Sequence, residues 1–362
     1  MNFIKNNILK KTLKLLLITS LSLVTLVIVV IFSIRAYFAI ILNISDGVQE
    51  RKFIELGGID QFVHIRGKNA ENPVIIWLHG GPGWSDAHEL ALWQYEMEDD
   101  FTFIRWDQRG SGRTYRRNIE ASVTLEHLLS DLYDLIDYAT TRFGTSVYLV
   151  GDSWGSVLGA IFAEQNPHKI EGFIGVSQNI NFRESIHISL DRAIEIATAL
   201  ENYEHITLMN EARTNFDKYR FYENGSNFQY FVNTQTLHGL YLAPPGEGQA
   251  IQTMFSPWFG FNEFRDLFSV MIDNATFFER NRELFYVLES FQAPASFDVP
   301  VAFIMGSDDL ITYTGLVIEY IENLEAPSIE LYIIEGAGHA HYRAQPDVFV
   351  EYLTQAIMRF GQ

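Results

Sequence analysis

The stretch Gly151-Asp152-Ser153-Trp154-Gly155-Ser156 follows an apolar run, Val147 to Val150, and precedes a run of small residues, Val157 to Ala160. An apolar run bounded in this way reads as a buried strand, and the small-residue run reads as a helix. A serine on so sharp a strand-to-helix turn is held in strained backbone, with its hydroxyl pushed out above the sheet. The residues two positions away on either side must be small, because strand and helix backbones nearly touch there. Gly151 and Gly155 stand at those two places. An ordinary helix cap needs one serine and neither glycine. Ser153 is therefore a candidate nucleophile at the carboxyl end of a strand.

The rest of the chain supplies the sheet. Lys52 to Leu56 and Gln61 to Ile65 read as two short strands joined by a tight turn, Gly57 to Asp60. Pro73 to Leu78 and Phe101 to Trp106 are continuous apolar runs, as expected of buried strands. Leu125 to Phe143 has helical spacing (Leu125, Leu128, Leu129, Leu132, Leu135, Ile136) and Gly144 is placed to end it. After the elbow come a helix to about Glu164 and a strand from Ile170 to Val176. From 181 to 295 the pattern is helical and rich in Phe and Tyr, which reads as a lid inserted into the core. Strand and helix alternation resumes with Pro300 to Met305, a helix from about Thr314, Ile329 to Ile334, and a last helix from Pro346. The core thus divides into 50–180 and 296–362. Such alternation gives an α/β domain, a mostly parallel sheet with helices on both faces.

The first residues do not fit that core. Lys5, Lys10, Lys11 and Lys14 mark a basic segment, 1–14, before an apolar segment, 15–42. Within it Leu15 to Ile34 carries no charge. Twenty helical residues at 1.5 Å each span about 30 Å, the thickness of a bilayer's hydrocarbon core. A secretory h-region is shorter and ends at a small-x-small cleavage site. This run ends in Arg35-Ala36-Tyr37-Phe38, which favours an uncleaved single-pass anchor. The lysines place the N-terminus in the cytoplasm and the catalytic domain on the extracytoplasmic side. A formal charge of −19 argues against a nucleic-acid partner, which needs a basic patch. Cysteine is absent, so disulfides, zinc-thiolate sites and Cys nucleophiles are excluded.

A serine hydroxyl is a weak nucleophile until a base takes its proton and an acid orients that base. After the strand ending at Met305, the loop Gly306-Ser307-Asp308-Asp309 offers two carboxylates, Asp309 preferred over Asp308. After the next strand, Gly336-Ala337-Gly338-His339 offers a base, with His341 as the alternative. Both loops lie at strand carboxyl ends, where ligands collect in open α/β sheets. His79-Gly80-Gly81-Pro82-Gly83 follows another strand and can present a backbone N–H to the oxyanion of a tetrahedral intermediate. Gly81 is the expected donor, with the N–H of Trp154 as the second. Asp107-Gln108-Arg109-Gly110-Ser111-Gly112 reads as an Asp–Arg pair fixing a turn, or else as a wall of the site. His339 and His341 lack the further ligands of a metal site, so neither metal nor cofactor is expected.

Together HGGPG (79–83), DQRGSGRT (107–114), GDSWGS (151–156) and GAGH (336–339) resemble the prolyl iminopeptidase branch of the α/β-hydrolases. The resemblance covers about 50–180 and 296–362 and implies an α/β-hydrolase fold. It implies Ser153 as nucleophile, Asp309 as acid, His339 as base, and Gly81 and Trp154 at the oxyanion hole. The implied activity is aminopeptidase action on small peptides. A carboxylesterase or lactonase with the same triad, acting on an acyl substrate, is the alternative, and a non-catalytic binding domain a third. This chain departs from the family at Asp152, where Gly or His is usual, and at Ser111, where Cys is common. The family holds the substrate's amino terminus with lid carboxylates; Glu184, Glu201, Glu204, Glu211 and Glu223 are the acids available.

Overall fold

The computed structural model describes residues 2–86, 89–218, 256–258, 260 and 274–361. The middle of the insertion, Glu223 included, lies outside them.

Eight strands form one sheet: β1 (Val48–Leu56), β2 (Ile59–Gly67), β3 (Val74–Leu78), β4 (Thr102–Trp106), β5 (Val147–Asp152), β6 (Gly172–Val176), β7 (Val301–Gly306) and β8 (Ile329–Ile334). Their order is β1-β2-β4-β3-β5-β6-β7-β8. The two edges of β2 pair antiparallel, with β1 and with β4, and every other pairing is parallel. Strands β3 to β7 are buried along their whole length, which is why they read as largely apolar runs, with Arg105 in β4 buried among apolar neighbours.

The chain steps from β3 outward to β4, then returns past β3 to β5, so β3 is the topological switch point. In an open α/β sheet the crevice at the carboxyl ends beside such a strand is where ligands bind. HGGPG leaves β3 and the elbow leaves β5, so the expected motifs sit at that crevice. Two apolar clusters cover the faces. One packs the helices Leu125–Phe143 and Trp154–Gln165 against the sheet, and the other packs Trp77, Trp93 and Phe103 against the C-terminal helix Pro346–Phe360.

Helices Phe182–Ala199 and Tyr203–Lys218 open the expected insertion, and Asn274–Arg280 and Arg282–Ser290 close it. An ion pair between Arg183 and Glu289 ties its first helix to its last. At the N-terminus one helix runs from Asn2 to Ile41, through Arg35 and to within one residue of the end of the expected segment 15–42. An apolar stretch long enough to cross a membrane covers Lys10–Ile41. A short helix, Gly112–Arg117, and two 3-10 turns, Glu89–Leu92 and Gln94–Met97, are too short to leave a periodic mark in the sequence.

Candidate active site

Ser153 has φ +52° and ψ −111°, a left-handed conformation that a residue with a side chain adopts only when its surroundings impose it. The imposition is steric and visible. A Cβ on Gly151 would stand 2.2 Å from the carbonyl oxygen of Gly155, and one on Gly155 2.1 Å from that of Leu78. Strand β5, strand β3 and the helix Trp154–Gln165 thus meet with no room for a methyl group. The amide of Ser153 donates to Val176 O at 2.9 Å, which anchors the turn to β6.

The loops after β7 and β8 bring an acid and a base to this hydroxyl. His339 Nε2 lies 3.0 Å from Ser153 Oγ, and His339 Nδ1 lies 2.9 Å from Asp309 Oδ2. A carboxylate only accepts, so Nδ1 carries the hydrogen and Nε2 accepts from the serine hydroxyl. Asp309 is fully buried. It is satisfied by the amides of Ile311 and Thr312, at 2.9 and 3.0 Å, and by the Thr312 hydroxyl at 2.8 Å. Burial alone would raise its carboxyl. His339, with its charge and hydrogen bond, together with the two Thr312 donors, outweighs burial and holds it below the ordinary carboxylate value.

The alternatives fall elsewhere. His341 is fully buried and its Nε2 meets Ile304 O at 3.1 Å. Burial pushes its imidazole down to about 4, so it is a neutral core histidine. Asp308 turns its amide to Ala337 O and takes no part in the Ser153–His339–Asp309 line. Gly81 has φ +139°, and the loop passes beside Ser153: a Cβ on Gly80 would stand 3.4 Å from Ser153 Cβ.

The Asp–Arg pair expected within DQRGSG does not form. Arg109 reaches Asp131 on the neighbouring helix, bidentate at 2.8 Å, and Asp107 accepts from Ser85 Oγ at 2.5 Å and Arg113 N at 2.8 Å. The two side chains brace different elements, because the loop turns between them. Sequence reasoning also missed Thr312, Ser177 and Gln108. Thr312 carries a legible signal, since an Asp that accepts amides two and three residues onward forms a common local turn. Ser177, which donates to His339 O at 2.7 Å, follows β6 with no local mark.

Described helices of the insertion bear on these loops. Ser189 donates to Leu310 O at 2.7 Å, and Ser185 Oγ accepts from Tyr313 N at 3.1 Å, next to the acid. Phe277 stacks edge-on against Trp84 at 6.0 Å beside the glycine loop. Of the acids expected to hold an amino terminus, Glu184, Glu201, Glu204 and Glu211 stand exposed.

The chain has an α/β-hydrolase fold and is a hydrolytic enzyme. The family model of the α/β-hydrolase fold matches residues 73–209. Within that class it is similar to proline iminopeptidases. A probable aminopeptidase of Bacillus subtilis is 27% identical over 316 residues, 84% of this chain and 95% of that protein. A proline iminopeptidase of Neisseria gonorrhoeae is 28% identical over 123 residues, 34% of this chain and 38% of that protein. Among solved structures, a proline iminopeptidase-related protein of Thermus thermophilus has a TM-score of 0.55 at 18% identity, over 86% of this chain and 98% of that one. A membrane phospholipase A has a TM-score of 0.60 at 12% identity, over 98% and 99%.

Proposed function

We propose that this hydrolase works through a Ser153–His339–Asp309 triad and an acyl-enzyme, and that it removes the N-terminal residue of small peptides. The observation that carries the chemistry is the unbroken hydrogen-bond line from Asp309 through His339 to Ser153, at 2.9 and 3.0 Å. The aminopeptidase reading is supported by the long match to a protein named as a probable aminopeptidase.

Ser153 Oγ attacks the scissile carbonyl carbon while His339 Nε2 takes its proton. Asp309 faces the imidazolium that results, and the amides of Gly81 and Trp154 donate to the oxyanion. His339 then gives the proton to the departing amine as the C–N bond breaks, leaving an ester on Ser153. Water, deprotonated by His339, attacks that ester and restores the free serine. Each oxyanion donor is worth about 3 kcal/mol in the transition state.

A fluorophosphonate probe should label the wild-type chain and not Ser153→Ala. Aminoacyl-arylamides should turn over faster than acyl esters lacking the amine. Labelling that survives in Ser153→Ala refutes the nucleophile; esters preferred over arylamides refute the peptidase and leave an esterase.

A further inference from the structure

Gln108 connects the two elements that carry the oxyanion donors. Its side-chain Oε1 accepts from the Trp154 indole Nε1–H at 3.1 Å, and its Nε2–H donates to the carbonyl of His79 at 3.2 Å. Its backbone amide lies 3.2 Å from His79 Nε2. An amide only donates, so His79 Nε2 accepts and the ring hydrogen sits on Nδ1. That Nδ1–H meets Gly80 O at 2.7 Å. The Gly80–Gly81 peptide is a rigid plane in which C=O and N–H point in opposite directions. A ring that holds Gly80 O therefore fixes the direction of the Gly81 N–H. Gln108 and His79 are each 1% exposed and Trp154 is fully buried, so water does not replace any of these bonds.

We propose that Gln108 is a positioning residue that sets the spacing and orientation of the two oxyanion donors, Gly81 N–H and Trp154 N–H. It touches no reacting atom. One end of its amide holds the residue that opens the elbow helix, and the other holds the residue that opens the glycine loop. The role rests on the proposed serine-hydrolase reading. A donor displaced by a fraction of an ångström loses far more in the transition state than in substrate binding, so the effect belongs in kcat and not in KM.

The test is the nearly isosteric Gln108→Glu, which keeps an acceptor for the Trp154 indole and replaces the donor to His79 O with an acceptor. At pH 8 kcat should fall roughly a hundredfold, with KM changed less than about threefold. A buried carboxyl titrates above its ordinary range, and when protonated it regains an O–H donor. The ratio of variant to wild-type kcat should therefore climb as pH falls from 8 to 5. Gln108→Ala should lose activity with a ratio that stays flat across that range. A wild-type kcat in Gln108→Glu, or a pH-independent ratio with a melting temperature reduced as far as in Gln108→Ala, overturns the proposal. Loss of fluorophosphonate labelling in Ser153→Ala, measured alongside, shows that the triad reading stands whichever way Gln108 falls.

Discussion

Asp152 precedes Ser153 and is only 5% exposed. One of its oxygens accepts from the Tyr342 hydroxyl at 3.1 Å; the other has no hydrogen-bond partner. Burial lifts this carboxyl from 3.8 to about 7, with Asp86 and Glu89 adding to the rise and His339 and Arg343 opposing it. A carboxyl that holds its proton more tightly folded than unfolded stabilises the fold fully below about 4, and that contribution is lost as pH rises through 7. The loss amounts to about 4 kcal/mol. His341 runs the other way. Neutral in the fold and protonated in the unfolded chain below 6.5, it withdraws stability as pH falls from 6.5 toward 4. His64, buried and depressed for the same reason, adds to that slope. The opposing slopes flatten the wild-type profile. Asp152→Asn keeps an acceptor for Tyr342 and removes one slope. Its urea midpoint should exceed the wild type's at pH 8 and converge with it at pH 5; an equal difference at both pH values means that the carboxyl is ionised throughout.

At the scale of elements, the elbow makes a sharper demand. Gly155→Ala forces a methyl group onto the backbone of Leu78, which cannot rotate away, so the loss should reach or exceed about 3 kcal/mol in urea unfolding. Gly144→Ala provides the contrast. That glycine ends the helix Leu125–Phe143 at φ +64° with open space around it, so only backbone strain remains, about 1–2 kcal/mol. Equal losses at both sites would show that the elbow is not tightly packed. Both glycines were legible in the sequence, as were the eight described strands: β1 and β2 from the tight turn between them, and the parallel strands from their apolar runs. What stayed hidden is charge inside those strands. Arg66 lies one residue past the expected strand Gln61 to Ile65 and Arg105 lies inside Phe101 to Trp106, yet both are buried in β2 and β4. Arg66 pairs bidentately with Glu98, at 2.7 and 2.9 Å, and Arg105 Nε donates to Gln94 at 2.7 Å. Their partners sit on or just after a 3-10 turn with no periodicity to announce it. Ser153, Asp309 and His339 could be singled out because each follows its own strand; Gln108 could not, because its partners His79 and Trp154 follow two other strands.

The whole molecule joins this domain to a helix whose most apolar stretch takes no part in its packing. The most apolar window of Lys10–Ile41 has mean hydropathy 2.9, and none of it is buried. Each Leu, Ile or Val left in water forgoes about 1.5–3 kcal/mol, so a surface of this length needs an apolar medium. The helix is not loosely tethered. Leu42 is buried, its carbonyl accepts from the Arg66 guanidinium at 2.6 Å, and Arg35 donates to Pro257 O at 3.3 Å. Read as an uncleaved anchor, this helix predicts a domain held against the bilayer, and Lys5, Lys10, Lys11 and Lys14 before its apolar run predict that the domain faces outward. Full-length chain should remain in the membrane pellet after alkaline carbonate, and protease added to intact cells should remove the catalytic domain. Its intact mass should include the first helix. Carbonate release, a mass short of residues 2–41, or a domain shielded from external protease each refutes the anchored, outward-facing arrangement, and a short mass alone would identify the helix as a cleaved signal.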